Sequence, residues 1–200
     1  MMTVAMEAWR LAGITAAWLV ASCDAGGLFV FDYDGTVAHH HHTASGADHA
    51  VDTAIRRGWF LGLNTLEDFH YPAAHHMPNA MMPYMEKHGG EKMYWTGEKA
   101  KDAWEKKSCP KSIDALGGDF SPEKGKACAI EKLQAATKLP NQCIAFFDDT
   151  RQNAETVRQA FPGMLIYTNP EVHDHISEGA VAEAEASIAD HCTSIRGQDR

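Results

Sequence analysis

Two short apolar runs, each stopping at a pair of acids, constrain this chain more than any other feature. Leu28-Phe29-Val30-Phe31 runs into Asp32-Tyr33-Asp34-Gly35-Thr36, and Gln142-Cys143-Ile144-Ala145-Phe146-Phe147 runs into Asp148-Asp149-Thr150. Unbroken, β-prone, uncharged runs suit strands buried on both faces of a parallel sheet. Like charges in close succession at the end of such a strand are costly unless a cation or a reacting group compensates them. Taken alone, the first run is also compatible with a solvated Asp-x-Asp-Gly turn, since Asp and Gly are ordinary turn residues. A second strand ending in the same way calls for more than a turn.

From residue 26 onward, apolar runs alternate with helical patterns, the signature of a parallel sheet covered by helices. Trp59-Phe60-Leu61-Gly62-Leu63, a weaker Lys92-Met93-Tyr94-Trp95-Thr96 and Met164-Leu165-Ile166-Tyr167 bring the runs to five. A helix is predicted over about 47–57, capped by Ser45 with Asp48 in its first turn. Ser121-Pro122-Glu123 starts another with a capping hydroxyl, a proline at the first helical position and an early acid. Ala127, Ile130, Leu133 and Ala136 give that helix a buried stripe, and Ala154, Val157, Ala160 and Phe161 do the same for the next, which ends at Pro162-Gly163. Residues 177–190, rich in Ala and Glu, read as a surface helix. The expected fold is α/β: a Rossmann-like parallel sheet of about five strands flanked by helices, with a small or absent cap. In such a sheet the carboxyl ends of the strands form the ligand crevice, which would bring Asp32, Asp34 and Asp148 around one hard cation. Oxygen donors without His or Cys suit Mg²⁺ better than zinc.

The 200 residues fit one domain, 26–200, behind an N-terminal segment, 1–25. That segment reads equally as a signal or lipoprotein leader and as a packed helix: an apolar run behind Arg10 leads to Val20-Ala21-Ser22-Cys23, but Glu7 is out of place in a leader. Location is accordingly open between cytoplasm and export, with membrane contact only if Cys23 is lipidated. The 18 Lys and Arg against 27 Asp and Glu, a net charge of -9 with no basic run, exclude nucleic acid as a bulk electrostatic partner. The five cysteines have no Cys-x-x-Cys pair and no regular spacing, so neither a zinc knuckle nor a disulfide framework is expected, and Cys143 reads as core. Residues 66–120 hold helical pieces at about 79–87 and 98–107 and room for a small lid. Their Met81, Met82 and Met85 read as core. The run His39-His40-His41-His42, and His70, His75 and His76, read first as solvated loops, with contact to substrate or a metal as the alternative.

These residues resemble the haloacid dehalogenase superfamily, whose hydrolases carry Asp-x-Asp-x-Thr as a first motif, matched by Asp32-Tyr33-Asp34-Gly35-Thr36. The fourth motif of that family is similar to Asp148-Asp149-Thr150-Arg151-Gln152-Asn153. The third, a lysine at the start of the preceding helix, resembles Glu123-Lys124-Gly125-Lys126, with Lys124 first and Lys126 as the alternative. The second, a Thr or Ser closing the second strand, falls at Asn64-Thr65, where strict counting puts Asn64 in the place of the hydroxyl. The likeness spans residues 26–170, with the motifs in order.

The resemblance implies a Mg²⁺-dependent hydrolase of small phosphomonoesters. Asp32 would attack phosphorus and form an aspartyl-phosphate, and Asp34 would serve the leaving alkoxide and then the water. Lys124 and Asn64 or Thr65 would hold the phosphoryl oxygens. Mg²⁺ would sit on Asp32, Asp148 and the Asp34 backbone carbonyl, with Asp149, Asn153 and Lys126 behind them. A phosphotransferase or mutase of the same superfamily, and a silent metal- or phosphate-binding protein, are the alternatives. Oligomeric state and substrate identity are not legible.

Overall fold

The computed structural model describes residues 26–39, 42–43, 46–66, 77–170, 172 and 176–195. The readings placed on residues 1–25, Ser45, His40, His41, His70, His75 and His76 fall outside them, as do the side chains of His39 and His42. In chain order the elements are β1 (Leu28–Phe31), the short strands β2 (Ala38–His39) and β3 (His42–Thr43), α1 (Ala47–Arg57), β4 (Phe60–Asn64) and α2 (Met81–Lys87). Then come β5 (Tyr94–Trp95), α3 (Gly97–Glu105), α4 (Pro110–Leu116), α5 (Pro122–Thr137), β6 (Ile144–Phe147), α6 (Arg151–Ala160), β7 (Leu165–Tyr167) and α7 (Glu178–Ile195).

Five strands form one all-parallel sheet in the order β5-β4-β1-β6-β7, flanked by helices, which is the Rossmann-like α/β arrangement. The apolar runs explain the order, because β1 and β6 are buried along their whole length and so take central places. Phe31 pairs with Leu63 on one side and Phe147 on the other, so the residues that follow these strands emerge side by side. The chain leaves β1 for β4 and β5 on one flank and then crosses to β6 and β7 on the other. The reversal between β1 and β6 is a topological switch point, where an open parallel sheet leaves a crevice at its carboxyl edge. Asp32 and Asp148 stand there, one residue past each strand.

Helix α5 fills the space between the sheet and α3 and α4, touching β4 on one side and those two helices on the other. Its first turn follows the sequence, with Ser121 Oγ accepting from Lys124 N and Pro122 in the first turn. The described part of 66–120 supplies the edge strand β5 together with α2, α3 and α4. Met81 and Met85 are fully buried and Met82 packs against the core.

Several local expectations are corrected. The residue capping α1 is Gly46, in a left-handed conformation and without a side-chain cap. A 3₁₀ turn, Gly90–Met93, occupies the start of the third run and leaves only Tyr94–Trp95 as strand. Helix α4 has no counterpart among the expected elements. Helix α7 is not a surface helix throughout: Ala180, Val181, Ala184, Ile188 and Cys192 are buried against the core, while Glu185 binds Arg56 and Arg57 of α1. The cysteines also overturn the sequence reading. Cys109 bonds Cys128 and Cys143 bonds Cys192, with Cα separations of 5.4 and 5.9 Å. The partners are 19 and 49 residues apart, and only the fold brings them together.

Candidate active site

Asp32 is fixed by the sheet itself, since its N–H continues the ladder by donating to Phe147 O at 2.9 Å. Asp148 does the same one strand further out, donating to Tyr167 O at 3.1 Å. After Asp32 the chain turns sharply: Thr36 N and Val37 N both donate to Tyr33 O. Gly35, at φ +70°, makes this turn possible, and a Cβ on it would lie 2.4 Å from Asp149 Oδ2. Glycine therefore lets the first acidic loop close on the second. Thr36 Oγ1 is buried beneath the turn with no hydrogen-bond partner among the described residues.

Lys126, with 0 % exposure, joins the two strands. Its ammonium donates to Asp32 Oδ1 at 2.5 Å and to the Asn64 carbonyl at 2.6 Å, and lies 3.4 Å from Asp148 Oδ2. Asn64 answers by donating from Nδ2 to Lys126 O at 3.0 Å. The end of β4 thus holds the first turn of α5 at both ends of one lysine.

That placement corrects the order of the two lysines. Lys124 is turned away from the cluster: its ammonium donates to Gly117 O at 2.6 Å and Asp119 O at 2.7 Å and lies 5.7 Å from the Trp104 ring centroid. At 3.6 residues per turn, positions two apart point about 200° from each other, so only one can face the sheet. Lys126 shares its face with Ile130 and Leu133, four and seven residues on, whereas Lys124 shares its own with Cys128 and Glu131. The apolar stripe in the sequence already carried this signal.

Asn64 and Thr65 are both buried at the end of β4, and Thr65 N donates to Trp95 O. Of the two, Asn64 contacts Lys126 through both its side chain and its carbonyl, which makes it a positioning residue for that lysine.

Asp148 is fully buried and held from its own loop. Its Oδ1 accepts from Thr150 N at 2.9 Å, and both of its oxygens accept from Asn153 Nδ2 at 3.1 Å. Burial, and then the neighbouring charge of Asp32, push its carboxyl up to about 7, against the pull of Lys126 and these hydrogen bonds. Asp32, Asp148 and Asp149 each present a carboxylate oxygen, all within 4.8 Å of one another. Asp149, expected behind the metal site, therefore converges on the same point as the other two. Asp34 lies on the exposed lip of the crevice.

No protein-family model matches this chain, and no curated protein matches it. Three clustered carboxylates facing one ammonium leave the cluster about two charges negative when all are ionised, a deficit that a divalent cation fits. The donors are oxygen alone, which suits a hard cation such as Mg²⁺ or Ca²⁺. Asp32 retains 8 % exposure, so this crevice carboxylate keeps an approach from solvent while its neighbours are held rigid.

Proposed function

We propose that this chain is a Mg²⁺-dependent phosphomonoester hydrolase of the haloacid dehalogenase type, acting through an aspartyl-phosphate on Asp32. The observation that carries the reading is a solvent-reachable carboxylate pinned by a buried lysine and faced by two further acids at the carboxyl edge of a parallel sheet. A phosphomonoester is a dianion, and a carboxylate can approach it only where fixed positive charge offsets the repulsion. Lys126 supplies part of that charge. Asp32, Asp148 and Asp149 would hold Mg²⁺, which would supply the rest and polarise the phosphoryl oxygens.

In the proposed cycle an Asp32 oxygen attacks phosphorus as the bond to the substrate alkoxide breaks, and Asp34 gives that alkoxide its proton. Asp34 then takes a proton from water as the water attacks the phosphorus. Inorganic phosphate leaves and the Asp32 carboxylate is restored. Lys126, donating to Asp32, orients the nucleophile in its ground state and lies beside the charge that develops on the phosphoryl group. Asn64 keeps Lys126 in that position, and Asn153 and Thr150 N keep Asp148 in its own.

The test is hydrolysis of p-nitrophenyl phosphate by wild type and Asp32→Asn, with and without Mg²⁺. Turnover that needs Mg²⁺ and is lost in the variant is expected. Equal turnover by the two proteins would overturn the reading.

A further inference from the structure

Four of the chain's five cysteines are paired, and all four are buried: Cys109, Cys128 and Cys143 at 0 to 1 % exposure and Cys192 at 7 %. The two bonds lie in different parts of the molecule. Cys109–Cys128 ties the residue ahead of α4 to the middle of α5, inside a small apolar cluster with Trp104. Cys143–Cys192 ties the entrance of β6 to the last turns of α7. Two separate pairings, each closing across elements far apart in sequence, have no catalytic neighbour to serve as a redox centre and read as structural.

We infer that this chain matures and works in an oxidising compartment, where both bonds complete its fold and one of them clamps the helix that carries Lys126. Thiols in a reducing cytosol are kept reduced, whereas disulfides form and persist in secretory, periplasmic or extracellular surroundings. In forming each bond, two thiols lose two protons and two electrons, which pass to a disulfide of the oxidoreductase class and leave it as a dithiol. Once the chain has folded, burial shields the sulfurs from attack by free thiolates. Cys128 lies two residues from Lys126, and Glu131 on the same helix binds the start of α4, so the clamp and the active-site lysine share one rigid element. If the phosphatase reading holds, the substrate is a phosphomonoester met outside the reducing cytosol. The pairing argument does not depend on that reading.

The experiment traps the full chain in its own cells with acid, blocks free thiols with N-ethylmaleimide and maps the peptides without reductant. Recovery of Cys109 linked to Cys128 and of Cys143 linked to Cys192 is expected. Recovery of these four cysteines blocked would overturn the inference. On the purified protein, opening both bonds with dithiothreitol should lower the melting temperature by at least about 10 °C, from the unfolded-state freedom that closed loops of this length remove. An unchanged melting temperature with both bonds demonstrably open would overturn their structural role. Neither readout involves phosphatase activity, so failure here and failure of the proposed function are told apart.

Discussion

At the scale of single residues, the site rests on which of two neighbouring lysines faces the sheet. Lys126→Met removes the ammonium that binds Asp32 and should lower kcat/KM by about 100-fold or more, the usual cost of losing a fixed charge beside a developing one. Lys124→Met loses only carbonyl contacts and a place over Trp104, and should keep kcat/KM near wild type. A reversed ranking in steady-state kinetics would overturn the assignment. Asp148 gives a second residue-scale prediction. Its carboxyl titrates near 7 in the folded chain against an ordinary value of 3.8, so between those values the folded state holds a proton that the unfolded state has released. Metal-free stability should therefore fall as pH rises through that window. Asp148→Asn removes the titration. Its melting temperature relative to wild type should be higher at pH 8 than at pH 4.5, and an equal difference at both values would contradict the cause assigned to the shift.

At the scale of elements, what the sequence made legible and what it hid differ in range. Strands β1 and β6 and helices α1, α5 and α6 advertise themselves through local pattern: unbroken apolar runs, apolar spacing of three and four, and a Ser-Pro-Glu start. The ends of those strands mark the crevice for the same reason, because costly acids follow apolar runs. Helix α4 carries no such signal. It is seven residues long, and its first N–H groups are satisfied from elsewhere: Glu131 of α5 accepts from Lys111 N, Ser112 N and Ser112 Oγ. A helix start capped from 19 residues away cannot be read in a local window, and neither can cysteine partners whose spacing follows no rule. Asp149 was hidden differently, since Gly35 had to be seen to admit it. The nonlocal cap is testable. Glu131→Ala leaves buried donors without acceptors and should cost about 1 to 3 kcal/mol in urea unfolding. KM for p-nitrophenyl phosphate should not change, because α4 does not reach the cluster. A KM that rises in step with the lost stability would mean that α4 also sets the site.

At the scale of the whole molecule, the fold concentrates unfavourable charge where the sheet reverses its order. Every strand of the sheet runs the same way, so the carboxyl ends of β1, β4 and β6 deliver their last residues to one edge. The acids of two of these strands meet there around a lysine that enters from α5 and is braced by the third. Such a cluster weakens the metal-free fold, and a cation that binds it only in the native state must give stability back by mass action. At a Mg²⁺ concentration about 100 times its dissociation constant, the gain is about 2.7 kcal/mol, or roughly 5 to 10 °C in melting temperature for a chain of this size. Differential scanning fluorimetry at pH 8, with Mg²⁺ titrated into protein stripped by a chelator, should show that rise. Asp32→Asn and Asp148→Asn should each abolish most of it. Asp149→Asn is the sharper case: the family resemblance places Asp149 behind the metal, whereas its oxygen lies within 4.8 Å of the other two carboxylates. If it is a ligand, the variant should need a Mg²⁺ concentration at least about tenfold higher for the same rise, the loss of affinity that follows removal of an oxygen donor from a hard-cation site. If the midpoint of the titration stays where wild type has it, Asp149 orders the loop against Gly35 and leaves the metal to Asp32 and Asp148.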